Sequence, residues 1–280
     1  MQLAFSTLGC PTWGFEKVVT CASALGYDAV EIRGIEGEMD LTKIDAFQPK
    51  AIKKSVDHLE NMGVRICCLG SSSSFHHTDR EERRKHVEAA EAVIRLADEL
   101  SCPFVRVFGD KIPDPAQKKE TIRLVVEALK ELGDYAADYR VKVVMETHGD
   151  FCATGDVQDV MERVSHKHVG VLWDTHHPYR LLGENPRSTA NRLGEWIWHT
   201  HFKDSVRTDG GYRYVLMGEG DVPVPDILGH LSRMGYKGCL SLEWEKAWCP
   251  KIEPPEIAIP DYIRKMKAYL AQVAKDAEYD

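Results

Sequence analysis

The chain has 280 residues, 43% of them hydrophobic and 29% charged, with a formal net charge of −8. That balance describes a globular protein with a sizeable core, and it argues against a polyanionic partner, since neutralising phosphates needs surplus Lys and Arg. No apolar run approaches the ~20 residues of a membrane span, and Met1-Gln2-Leu3-Ala4-Phe5-Ser6 enters a strand-like pattern with none of the marks of a signal peptide. The expectation is a cytoplasmic protein with neither nucleic acid nor membrane as partner.

The first predicted strand runs from Gln2 to Leu8, followed by a helix from Phe15 to Leu25 that Gly26 closes. Ala29 to Arg33 is the second strand, and Pro49 to Met62, stopped by Gly63, is its helix. Val64 to Leu69 and a helix from Asp79 to Leu100 come next, with Ser71-Ser-Ser-Ser-Phe-His-His-Thr78 read as a polar loop between them. Phe104 to Phe108 is the fourth strand, with a helix from Pro115 to about Tyr139. The last four strands are Val141 to Glu146, Val169 to Asp174, Ile197 to Asp204 and Cys239 to Glu245. Their helices fall near Val157–Val164, Ser188–Gly194, Val224–Met234 and Glu256–Ala274. Eight strand–helix repeats of roughly 30 residues without a linker predict an α/β fold. Residues 1–280 are read as one domain, a single (β/α)8 TIM barrel. No Gly-x-Gly-x-x-Gly follows the first strand, which disfavours an open dinucleotide-binding sheet. The eight cysteines include no Cys-x-x-Cys pair, and Cys10, Cys67, Cys68, Cys102 and Cys239 lie in or beside apolar strands, so reduced thiols are expected.

Alternation within the strands carries the chemistry. Trp198, Thr200 and Phe202 oppose His199, His201 and Lys203; Leu240, Leu242 and Trp244 oppose Ser241, Glu243 and Glu245; Val30 and Ile32 oppose Glu31 and Arg33; Val144, Glu146 and His148 share a face. The apolar sets, Trp173 and Trp244 among them, suit the helix layer, so the charged sets face the lumen. Buried charge survives there only if paired or bound to metal. Taken singly, each acid reads better as a structural ion-pair partner for Arg33, Arg106 or Lys203. Glu146, Asp174, His201 and Glu243, however, end four consecutive strands, and together they make a ligand shell for one divalent cation. His201 is preferred to His199 because it lies one pleat nearer the carboxyl end, where barrel sites are built. Mn²⁺ is the first choice, with Co²⁺, Mg²⁺ or Zn²⁺ also fitting such donors. Glu31 and Arg106 point inward on earlier strands and are expected to pair with each other or touch substrate. Of His176 and His177, one is expected to face the pocket. Trp13 and Phe75, on loops after the first and third strands, are the aromatic residues placed to meet a substrate.

Glu146, Asp174 with His177 three residues on, His201-Phe-Lys-Asp204, Gly218-Glu-Gly-Asp221 and Ser-Leu-Glu243 resemble the xylose isomerase-like barrel superfamily. The pattern is most similar to its sugar isomerase/epimerase branch of inosose isomerases, ketose 3-epimerases and inosose dehydratases. The resemblance spans the chain and implies one metal on Glu146, Asp174, His201 and Glu243, with Glu146 and Glu243 doubling as acid and base. It further implies that His177 and Arg207 bind substrate oxygens. The segment Trp-Glu245-Lys246-Ala-Trp248 departs from the ketose 3-epimerase pattern, so the substrate does not carry over.

The same chemistry follows without the family. A cation chelated by a carbonyl and its neighbouring hydroxyl stabilises an enediolate, one carboxylate removing the α proton and another returning it. The expected activity is therefore a divalent-metal-dependent isomerase or epimerase of a keto-sugar or keto-polyol, in carbohydrate metabolism. Lys203, Arg207 and His148 are further candidates for contacting substrate, Lys203 having an ion pair with Asp204 or Glu243 as its alternative. A lyase or dehydratase acting on a keto-sugar, inosose or keto-glycoside shares the first half of the mechanism. An endonuclease IV-like phosphodiesterase would enlist His76, His77 and Asp110, and the acidic balance speaks against it. A homo-oligomer would use the segments around Pro254-Pro255 or Arg213-Tyr214.

Overall fold

Eight parallel strands close into a ring in the computed structural model, which describes residues 1–276. The strands are β1 (Gln2–Ser6), β2 (Ala29–Ile32), β3 (Arg65–Ser74), β4 (Phe104–Phe108), β5 (Lys142–Glu146), β6 (Val169–Asp174) and β7 (Ile197–Phe202). An antiparallel hairpin of β8 (Asp204–Thr208) and β9 (Gly211–Val215) follows, before β10 (Cys239–Leu242) completes the ring. β1 pairs with both β2 and β10, in register from Gln2 opposite Cys239 to Phe5 opposite Leu242. The helices are α1 (Phe15–Leu25), α2 (Ile52–Met62), α3 (Arg80–Glu99), α4 (Lys118–Ala136), α5 (Thr154–Val164), α6 (His177–Leu182), α7 (Pro186–Leu193), α8 (Val224–Arg233) and α9 (Pro255–Asp276). The fold is a single (β/α)8 barrel, as the alternation predicts.

Each long helix buries one stripe. α1 turns Phe15, Val18, Val19 and Ala22 inward, and α8 does the same with Val224, Ile227, Leu228 and Leu231, the i, i+3, i+4, i+7 spacing of an amphipathic helix. Each of the Val, Leu, Ile and Phe side chains among them contributes about 1.5–3 kcal/mol on burial. Gly26 ends α1 with φ 77°, its N–H donating to the carbonyls of Ala22 and Ser23, a conformation that costs glycine no Cβ clash. Among the described residues no helix is long and apolar enough to cross a membrane, and all eight cysteines are free.

Several boundaries differ from the sequence expectation. α2 and α4 start three residues late, at Ile52 and Lys118, and the tract before Lys118 is a 3₁₀ turn. The serine tract is not a loop: Ser71–Ser74 belongs to β3. The Ser71 hydroxyl donates to the Arg106 carbonyl (2.7 Å), and the Ser74 N–H donates to His86 Nδ1 (3.1 Å), so polar side chains and backbone satisfy one another without leaving the sheet. The hairpin and α6 are additions with no hydrophobic period to announce them.

The lumen is graded along its axis. Cys68, Val144 and Leu172 pack together on the strand positions two residues below Gly70, Glu146 and Asp174, so apolar residues fill the amino-terminal end and charged ones the carboxyl-terminal end. Trp198 corrects the simple alternation. The β6–β7 register shifts between Val171 and Leu172, which skips one residue of β7 and places Trp198 against this apolar floor, stacked on Phe104 at 6.5 Å, instead of on the helix layer.

Candidate metal and active site

Going round the ring, β5, β6, β7 and β10 are consecutive neighbours. Glu146 and Asp174 are the last residues of β5 and β6, His201 is next to last in β7, and Glu243 lies one residue beyond β10. The Glu243 N–H donates to the Phe202 carbonyl (3.0 Å), so the sheet still fixes its position. One ligand atom from each of the four lies within 4.8 Å of the others. His201 Nδ1 stands 3.6 Å from Glu146 Oε1, 3.9 Å from Asp174 Oδ2 and 3.3 Å from Glu243 Oε2. His201 Nδ1 is buried and has no hydrogen-bond partner, and Asp174 Oδ2 is met by the Lys203 ammonium. An orphaned imidazole nitrogen turned toward three carboxylates fits a cation that collects all four.

Glu31 sets the orientation of His201. Its carboxylate accepts from His201 Nε2 (2.9 Å), His199 Nε2 (2.8 Å) and the Ser241 hydroxyl (3.0 Å). A carboxylate on the far nitrogen of an imidazole fixes the tautomer and ring angle that metal-binding histidines use. The expected pairing of Glu31 with Arg106 does not occur. Arg106 donates instead to Glu146 Oε2 (2.9 Å) and leaves Oε1 facing His201. Among the described residues two other acid–histidine groups are equally compact, Glu31/His199/His201 and Asp174/His176/His177. The first is closed by its own hydrogen bonds. In the second, His176 Nε2 pairs with the Ser205 hydroxyl (2.8 Å), and Asp174 Oδ1 accepts the backbone N–H groups of His176 and His177 (2.9 and 2.8 Å). Neither includes His76 or His77; the His77 ring stacks on His86 and lies tilted against His76.

The charge balance points the same way. Glu31, Glu146, Asp174, Glu243 and Glu245 are buried, against the buried cations Arg106 and Lys203, with Arg33 half-buried at the rim. Lys203 Nζ lies 2.6 Å from Asp174 Oδ2 and 2.9 Å from Glu245 Oε1, and also pairs with Glu243. Burial and the charge of Glu243 push Glu146 up, but Arg106 and His201 outweigh them and hold it at about 2. Glu243 is likewise held well below the usual carboxylate range, burial being overcome by His201 and Lys203. His201 is raised well above an ordinary histidine: burial opposes its charge, yet Glu243, Glu31 and Glu146 demand it. The acids require positive charge at this point, which a proton on His201 or a divalent cation supplies.

Glu146 and Glu243 open onto a cavity of about 350 Å³ at the carboxyl end of the barrel. His148 and His177 line it, as expected of substrate-contacting residues. His177 Nδ1 donates to the Thr147 carbonyl (3.1 Å), and burial lowers its pKa. His148 Nδ1 pairs with Asp110 (3.2 Å); burial works against its charge, but that bond raises it overall. Four expected substrate contacts lie elsewhere. Lys203 is fully buried among its three acids, outside the cavity lining. Arg207 is exposed on β8, where the chain has left the barrel mouth, and its N–H donates to Asp221 (3.4 Å). Trp13 is buried with the Lys17 ammonium 4.0 Å from its ring centroid. Phe75 is wholly buried because the lengthened β3 carries it into the core.

The aromatic residues of the cavity are instead Phe108 and Trp248, the latter 61% exposed at the rim. Arg33, Arg106 and Glu245 also line it. Alternation had already turned these three inward, whereas nothing in the sequence marks the reach of Trp248. Larger hollows of about 480 and 990 Å³ lie beside α3 and between α7, α8 and α9. Neither is lined by any of the four clustered residues, so chemistry and not size selects the site.

A barrel with Glu, Asp, His and Glu on consecutive strands defines the class, and the chain belongs to the xylose isomerase-like TIM barrel family, whose family model matches residues 19–269. It is similar to the inosose isomerase of Halalkalibacterium halodurans, 23% identical over 226 residues and 78% of each chain. The fructoselysine 3-epimerase of Shigella flexneri is 23% identical over 251 residues, 87% of this chain and 90% of that one. Among solved structures, the IOLI protein with a bound zinc atom superposes with a TM-score of 0.78 at 18% identity, covering 99% of both chains.

Proposed function

We propose that the chain is a divalent-metal-dependent isomerase or epimerase of a keto-sugar or keto-polyol, acting by proton transfer at the carbon beside the carbonyl. The observation that carries this reading is the convergence of His201 Nδ1, buried without a partner, on carboxylate oxygens of Glu146, Asp174 and Glu243 beside a cavity. Glu146, Asp174, His201 and Glu243 would hold the ion, and three carboxylates with one imidazole suit Mn²⁺, with Co²⁺, Mg²⁺ and Zn²⁺ as alternatives. When bound, the ion supplies Lewis acidity at the carbonyl oxygen and a template for the adjacent hydroxyl.

The chain's own groups do the rest. Glu146 and Glu243 are both held ionised, so either starts as proton acceptor. Arg106 fixes Glu146 through Oε2, which restricts proton transfer there to Oε1. His148 and His177 offer their second ring nitrogens to substrate hydroxyls, and the Phe108 ring gives the sugar an apolar face. The isomerase and epimerase activities of the similar proteins support the reaction class.

One observation favours a second reading, a lyase. Burial raises the pKa of Glu245 despite Lys203, whereas Glu146 and Glu243 are lowered, so of the three glutamates lining the cavity it is the one disposed to carry a proton to a departing hydroxyl. Manganese-loaded protein incubated in deuterium oxide with ketoses, inososes and 3-keto-glycosides separates these routes. Solvent label beside the carbonyl of recovered substrate or product is the expected result, and loss of water from the product would select the lyase. Turnover without solvent label would mean a hydride shift and overturn proton transfer. Metal-replete protein that exchanges none of them would overturn the whole reading.

A further inference from the structure

Arg106 is 2% exposed, and only its Nη1 is bound, to Glu146; Nε and Nη2 are buried without partners. Arg33 donates Nη2 to the Ser72 hydroxyl (2.9 Å), and its Nη1 is also buried and unpartnered. Both side chains crowd the same strand position. A Cβ at Gly70 would stand 2.8 Å from Arg106 Nη2 and 3.0 Å from Arg33 Cδ, so only glycine lets the two guanidinium groups share this wall. Placing like charges together is unfavourable, and burial with the Arg106 charge brings Arg33 down to about 10. The acids in the lining are already committed: Glu245 and Glu243 to Lys203, Asp110 to His148, Glu146 to Arg106. Two cations with three unpartnered nitrogens therefore sit in the wall of a small cavity, where the Arg106 guanidinium lies 4.0 Å from the Phe108 ring and meets no acid besides Glu146.

We infer that the substrate of this site carries a carboxylate at the end remote from its carbonyl, and that Arg33 and Arg106 grip it. The inference rests on the reaction proposed above. A guanidinium presents paired donors that match a two-oxygen anion, and a desolvated carboxylate is held most strongly by such forks. Arg33 follows β2 and Gly70 lies on β3, across the ring from β6 and β7, so a group at the far end of a substrate held by the clustered acids meets this wall. A neutral ketose would leave those donors unanswered, which disfavours it in the same way that a site built for a polar group rejects the analogue lacking it.

Calorimetric titration of manganese-loaded protein with D-fructose, D-fructuronate and D-fructose 6-phosphate tests this, because the three differ only at C6. D-Fructuronate is expected to bind at least about tenfold more tightly than D-fructose. Arg33→Gln is expected to remove most of that advantage, and Arg33→Lys to keep part of it, with circular dichroism and metal content confirming that both variants are folded and loaded. Equal affinities, no measurable binding of either, or an advantage that survives Arg33→Gln would overturn the inference. Tighter binding of the phosphate ester would overturn the choice of carboxylate. Deuterium exchange on the same samples keeps the two proposals apart. Exchange without anion preference sinks only the carboxylate site, and preference without exchange sinks only the proton-transfer reading.

Discussion

Glu31 touches neither the cavity nor the other three clustered acids, yet it decides which nitrogen of His201 remains free. Glu31→Gln keeps the shape and removes the charge. Metal affinity is expected to fall about 10- to 100-fold, as measured by competition with a chelating dye; an unchanged affinity would show that His201 needs no anchor. His176 is one source of acid sensitivity. Burial first, then Lys203 and His177, push it down to about 2, so the folded protein keeps it neutral where an unfolded chain takes up a proton near pH ~6.5. The stabilisation from neutral His176 is complete above that pH and is lost progressively as pH falls toward 2. The urea midpoint should therefore decline below pH ~6.5, and His176→Gln should flatten that decline; an identical slope in the variant would exclude His176 as the cause.

At the scale of elements, the excursion after β7 hangs on one carboxylate. Asp204 accepts from the backbone N–H groups of Ser205, Gly218, Gly220 and Val222 at 2.8–3.3 Å, tying the start of β8 to the approach to α8. Asp204→Ala leaves those donors unanswered, at a cost of roughly 1–3 kcal/mol for each that stays dry. Amide exchange at Gly218, Gly220 and Val222 should accelerate while the barrel strands stay protected, and protection at all three would rule out this anchor. The sequence made the ends of β5, β6 and β7 legible because each strand is an apolar run that stops at a residue unfit for burial. It also placed Arg33, Arg106 and Glu245 inward, since alternation needs only one strand at a time. Trp198 escaped that logic because a register shift belongs to two strands together. Trp13, Phe75 and Arg207 escaped it because the direction of a loop side chain is set by packing that no local period encodes. The serine tract misled through composition, its hydroxyls finding partners inside the sheet.

Across the whole molecule, several negative charges meet within the barrel mouth while apolar residues fill the opposite end of the lumen. A cation bound there should couple strongly to global stability, because the proposed ligands come from four strands spread over nearly a hundred residues. At a thousandfold excess over its dissociation constant, a ligand specific to the folded state adds about 4 kcal/mol. Stripping with a chelator should then lower the melting temperature by roughly 10 °C, with recovery on adding Mn²⁺. A melting temperature indifferent to chelation would argue that no ion joins these strands.

The pairing of β1 with β10 has a bearing on biosynthesis. β1 is made more than two hundred residues before its partner β10, and until Cys239–Leu242 emerges both β1 and β7 present bare edges. The final acid, Glu243, arrives on the heels of that same strand. A nascent chain is thus adhesive and inert together, and the handful of residues from Cys239 to Glu243 relieves both conditions at once.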